Sequence, residues 1–220
     1  IHFGLESPPA ENCRLLELGC SMGGNLIVMA QDHPGSRFLG VDASSRQIAE
    51  GWKTIDALSL KNIQLKQLDI LEIGDDVGEF DYIISHGVYS WVPPPVQNKM
   101  LEICQRRLAP NGVAYISYNT YPGWHIRGVV RDMMFYRGVQ FADPQTSLAQ
   151  AKSLVEFVAQ SSKGADTPYQ RLLQSELKHI GQMEDYYLQH EHLEEINQPL
   201  YFHEDRKSTR LNSSHLFISR

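Results

Sequence analysis

Five short apolar runs, each separated from the next by enough chain to cross back over a sheet, constrain this sequence more than any other feature. They occupy residues 13–18, 38–41, 62–68, 80–85 and 113–118. The run 80–85 is apolar almost throughout, as suits a strand covered on both faces of a parallel sheet, while 62–68 alternates imperfectly through Ile63, Leu65 and Leu68. Parallel neighbours need long crossovers, usually helical. Two of the intervening stretches carry a helical period. Residues 44–58 place Ile48, Ala49, Trp52, Ile55 and Leu58 at spacings of three and four behind a capping Ser44, and 97–108 turn Met100, Leu101, Cys104 and Leu108 inward. The alternation predicts a doubly wound α/β sheet with right-handed crossovers over residues 13–118. A hydrophobic content of 42% in 220 residues is enough to fill its core and leaves room for an appendage.

The first crossover opens with Glu17-Leu18-Gly19-Cys20-Ser21-Met22-Gly23-Gly24-Asn25. Gly19 permits a sharp turn and Gly23 a close approach of a ligand to the backbone. The dinucleotide fingerprint does not fit, because Ser21 stands where its second glycine belongs. Glu17 would repel a pyrophosphate on this loop and suits a ligand carrying an ammonium group. Asp42 ends the second run, 25 residues after Glu17. An acid there suits the paired hydroxyls of a ribose, or else caps the next helix beside Ser44 and Ser45. Asp69 ends the third run and Ser85-His86 the fourth, and open parallel sheets bind ligands outside these carboxyl ends.

Residues 17–24 resemble motif I of the class I S-adenosylmethionine-dependent methyltransferases, with Ser21 in place of the middle glycine. The resemblance implies a Rossmann-like α/β fold and S-adenosyl-L-methionine as co-substrate, with no metal. It places Glu17 on the methionine ammonium and Gly19, Cys20, Ser21, Gly23 and Asn25 against the methionine and sugar. Asp42 and Ala43 fall on the ribose, Asp69 and Ile70 on the adenine, and Ser85 and His86 beside the cofactor. Methyl transfer from a sulfonium is an in-line displacement that needs positioning, dryness and a route for the acceptor's proton. His86, Tyr89 and Tyr121 are the catalytic candidates, with Tyr118, Asn119 and His125 nearby in sequence. His86 follows the fourth strand and titrates near neutrality, or is a turn histidine bonded to backbone. Tyr121 and Trp124 either wall an acceptor pocket or form the core of a domain junction. The Asn/Asp-Pro-Pro-aromatic turn of adenine and glutamine methyltransferases is absent after the fourth run, which disfavours planar amide acceptors.

The train Tyr121-Pro122-Gly123-Trp124, Phe141-Ala142-Asp143-Pro144, 186–195 and 199–204 is similar to methyltransferases carrying the methyltransferase regulatory domain, mostly bacterial. It implies a catalytic core over 1–120 and an incomplete, mainly helical regulatory domain over 121–204, with helices near 125–140, 146–163 and 168–180. Leu148, Ala151, Leu154, Val155 and Val158 mark an apolar stripe of core. Arg127 and Arg131 share a helical face, where pairing with carboxylates in a solvated surface competes with recognition of an acidic substrate. His190 and His192 fall on different faces, which disfavours a shared metal. Sixth and seventh strands are not identifiable. Some relatives with this arrangement act on protein lysines, so the acceptor is a protein side chain such as lysine or a small molecule. A non-catalytic module that binds the cofactor is the alternative.

The formal charge of −6 argues against a nucleic-acid backbone binder. Cys13, Cys20 and Cys104 form no Cys-x-x-Cys pair, which fits a reducing cytoplasm, and no apolar run reaches a membrane span. The chain opens on Ile1, so an amino-terminal portion is expected to be missing. Residues 205–220 resemble a translated sequencing adapter, a non-native tail that cuts the second domain short.

Overall fold

The computed structural model describes residues 6–161, 164 and 166–201; the expected tail at 205–220 lies outside them. The described chain forms two compact units, one reaching Asn119 and one spanning Thr120–Tyr201.

The first unit alternates β1 (Arg14–Leu18), α1 (Gly24–Asp32), β2 (Arg37–Asp42), α2 (Ser45–Ala57), β3 (Ile63–Gln67), β4 (Phe80–Ser85), α3 (Pro94–Arg107) and β5 (Leu108–Ile116). The strands make one parallel sheet in the order β3-β2-β1-β4-β5. The order reverses between β1 and β4, so the ligand crevice of such a sheet opens at their carboxyl ends. Alternation along β1 explains its place at the centre. Leu15 joins the cluster made with Leu26, Ile27, Phe38, Ile48, Ile55 and Leu65, while Leu16 and Leu18 are wholly buried. Polar groups lock the edges of these elements. Asn62 donates to the carbonyls of Ala30, His33 and Ser36 at 3.0–3.2 Å, and the Arg14 backbone and guanidinium both bond the half-exposed pair's buried partner, Asp81.

Several local expectations change. The helix read over 97–108 starts earlier: Pro94 and Pro95 open α3, where a missing N–H costs nothing and the fixed φ is helical. Ala49 and Leu58 are exposed, and Gly51 takes the inward position on α2 with Ile48 and Ile55. The fifth strand starts before the run at 113–118, since β5 takes in residues 108–112, where Asn111 has a left-handed φ of 64° at an irregularity in the pairing.

The second unit is built on α4 (Gly123–Gly138), α5 (Pro144–Ser161) and α6 (Pro168–Ile180), followed by a short α7 (Asp185–Leu188) that widens into a π-helical turn over Gln189–Leu193. Val130 and Met134 of α4, Leu148, Ala151, Val155 and Ala159 of α5, Leu173 and Ile180 of α6, and Leu188 form its core. A two-residue strand β6 (Thr120–Tyr121) pairs parallel with β7 (Leu200–Tyr201), so the unit begins and ends side by side. Among the described residues no helix is long and apolar enough to cross a membrane.

Candidate active site

The loop from β1 to α1 is held by backbone before any ligand is considered. The Gly19 and Cys20 amides donate to the Val41 carbonyl at 2.9 and 3.0 Å, and the Gly23 amide returns to Cys20 at 2.8 Å. Gly19 has a φ of 73°, and a Cβ there would sit 2.4 Å from a methyl of Val88. Ser21 adopts a φ of 52°, a left-handed conformation that glycine would take without strain. It does so while its amide bonds Asp42 Oδ2 at 2.9 Å. The loop therefore keeps its path without the middle glycine because the tip of β2 holds it.

Three carboxylates stand at three neighbouring strand tips. Glu17 on β1 is only 5% exposed; Asn25 Nδ2 donates to its Oε1 at 3.1 Å, and Oε2 is buried with no hydrogen-bond partner among the described residues. Burial raises its carboxyl to about 7, with the Asn25 bond pulling the other way. Asp42 accepts the Ser21 amide on one oxygen and the Ser44 amide on the other at 2.9 Å, so it braces both the loop and the residue that caps α2. Each carboxylate oxygen keeps a second lone pair for a further donor. The Leu68 amide donates to the Asp42 carbonyl at 2.9 Å, which brings the end of β3 alongside. There Asp69 accepts from the Leu71 amide at 2.8 Å and caps a short 3-10 turn over Ile70–Glu72.

The remaining sequence-derived residues distribute unevenly. Ser85 is fully buried and its hydroxyl donates to the Leu18 carbonyl at 3.2 Å, tying β4 to β1. His86 is exposed just beyond, its ring stacked on Tyr115 and Nδ1 3.2 Å from the Tyr115 hydroxyl. Ala43 is exposed at the tip of β2. Cys20 is buried, and that burial, with the charges of Asp42 and Glu17, pushes its thiol up to about 12, so it is no nucleophile. The Ile70 side chain is 8% exposed and belongs to the core, while its neighbour Leu71 is 48% exposed. Tyr89 is buried, its ring tilted against Tyr118 at 6.2 Å. Tyr121 belongs to the second unit, stacked on His125 with centroids 4.1 Å apart. Val88, which closes over Gly19, and the exposed Met22 of the loop went unnoticed in the sequence, since neither side chain signals its role without the packing. No group of three or more histidines, cysteines or acids among the described residues is placed to hold a metal ion.

A five-stranded parallel sheet with a positive-φ glycine loop after its central strand and acids at successive strand tips defines a class I S-adenosylmethionine-dependent methyltransferase fold. The chain belongs to that family. Residues 16–114 match the family described as "Methyltransferase domain". Two uncharacterized proteins of Rickettsia prowazekii, RP789 and RP028, are 47% and 45% identical over 94% and 92% of this chain. The structure of PKMT2 from Rickettsia typhi in complex with AdoHcy matches 95% of the chain at 42% identity with a TM-score of 0.84. The chain spans 38% of RP789, 81% of RP028 and 40% of PKMT2.

Proposed function

We propose that this protein transfers a methyl group from S-adenosylmethionine to a protein side chain, with lysine as the acceptor. The observation that carries the cofactor half is Glu17, a carboxylate buried at a strand tip with one oxygen lacking a hydrogen-bond partner among the described residues and a carboxyl raised to about 7. Such a group is left unsatisfied by the surrounding protein atoms and is matched to a cation, which supplies a partner and restores its charge. Asp42 and Asp69 would receive the ribose hydroxyls and the adenine. Cys20, Ser21 and Gly23 would line the loop side. Once bound, the co-substrate supplies an electrophilic methyl on a sulfonium. This chain's own share is then to orient and desolvate, which the glycine loop and the strand tips are built to do.

The acceptor half rests on the likeness to PKMT2 over nearly the whole chain and on the regulatory-domain resemblance. An attacking lysine must shed a proton, and His86 would pass it on; its exposure at the end of β4, with Tyr115 at its Nδ1, supports that role. Incubating the protein with methyl-labelled S-adenosylmethionine and cell lysate tests the reading. Label that precipitates with protein and is recovered as methyl-lysine after hydrolysis supports it; label confined to small molecules refutes the protein acceptor.

A further inference from the structure

The second unit contains a cavity of about 410 Å³ that no part of the cofactor reading uses. Two of its walls are acids, Asp132 on α4 and Glu195 just after the π-helical turn. Both are exposed, and Asp132 lies within electrostatic reach of its neighbour Arg131. Aromatic rings stand beside them: Trp124, Phe135, and Tyr121 backed by His125. The lining also includes the Arg131 guanidinium, but this group is buried, donates to the Glu194 carbonyl and lies 5.3 Å from the centre of the Phe135 ring. Its charge offsets that of Asp132, which leaves Glu195 as the lining's excess acid. Arg127, the other arginine of this helical face, is likewise committed, with both oxygens of Glu191 within 3.0 Å. An excess of exposed carboxylate in a cavity that Trp124 also lines attracts a cation and repels an anion.

We infer that this cavity holds a basic side chain of the polypeptide acceptor, a lysine or arginine distinct from the one that is methylated. The inference rests on the acceptor being a polypeptide. The carboxylates themselves exclude the reacting amine: a nearby negative charge favours the protonated form, which has no lone pair for attack. A site of this kind suits a non-reacting neighbour, where the charge is permanent and the gain is placement. It would make the second unit a selector of basic sequence around the target residue.

The test uses the whole chain and a short capped peptide of alternating glycine and lysine, with binding followed by titration calorimetry. The peptide is expected to bind, and its lysine-acetylated counterpart not to. Asp132→Asn with Glu195→Gln is expected to weaken binding by about 2- to 30-fold, the worth of two exposed ion pairs. Glu156→Gln, which removes an exposed acid on α5, is expected to leave it unchanged. Equal binding of the acetylated peptide, equal loss in the Glu156 variant, or equally tight binding of free spermidine each overturns the inference. S-adenosylhomocysteine is titrated into the same samples. The double variant is expected to bind it normally, so a failure of the cavity is read separately from a failure of the cofactor site. Both substitutions are isosteric and exposed, and an unchanged melting curve confirms that lost binding is not lost folding.

Discussion

Glu17→Gln removes a charge that the unliganded fold cannot solvate, and its effect on stability turns on pH. The Glu17 carboxyl ionises near 4.5 in an ordinary setting and at about 7 in the folded chain. The sign follows from linkage: a raised folded value favours the protonated form, so this contribution to stability is complete below the ordinary value and lost as pH rises through the folded one. Full ionisation costs about 3 kcal/mol, of which roughly 2.5 kcal/mol accrues between pH 5 and pH 8. Glutamine retains the oxygen that accepts from Asn25 and carries no charge. Urea unfolding of both proteins at pH 5 and pH 8 isolates the residue, because all other titrations cancel in the double difference. The variant is expected to gain on the wild type by about 2 to 3 kcal/mol on going from pH 5 to pH 8. It should also lose most of its affinity for S-adenosylhomocysteine. If the two proteins change in parallel with pH, the picture of a desolvated carboxylate awaiting a cation is wrong.

Asp42→Ala removes the acceptor of both the Ser21 and Ser44 amides; at about 1.5 to 3 kcal/mol for each charged bond, S-adenosylhomocysteine affinity measured by calorimetry should drop at least tenfold. Gly19→Ala forces a left-handed alanine against Val88 and should destabilise the fold by about 2 to 4 kcal/mol in urea. Adding Val88→Ala to Gly19→Ala should return part of that loss, and no recovery would show that the clash is not the cause. His192 in the second unit is 2% exposed, and burial, with Arg127, Arg131 and His179 nearby, lowers its imidazole from 6.5 to about 4. Stability from this residue is present above pH 6.5 and lost as pH falls toward 4, about 3 kcal/mol in all. Hydrogen exchange at pH 4.5 should therefore show the π-helical turn and α4 opening before the sheet does.

The order of the sheet's elements was readable because a buried parallel strand must be apolar on both faces and must be followed by a long crossover. Those demands leave marks along a single chain, as 80–85 and the Ser44 cap do. Helix starts were less readable. A Pro-Pro-Pro run looks the same whether it stiffens a loop or opens α3, and only the packing of Met100, Leu101 and Cys104 chooses. Arg127 and Arg131 read as a solvated face. Glu191 and the Glu194 carbonyl meet them from 64 and 63 residues away, and that distance in sequence hides the pairing.

What the sequence determined by itself was local: a glycine turn, an acid two residues before it, and acids closing the next two apolar runs. Local conformation depends on neighbours along the chain, so these features could be located without coordinates. Tertiary structure alone decided what surrounds each one. Glu17 becomes a strained carboxylate only when the sheet and α1 take water away from it, and Ser21 stands in for glycine only because Asp42 reaches across from β2 to hold its amide. Solvation and cross-strand contact belong to the folded arrangement, and no spacing of letters encodes either directly.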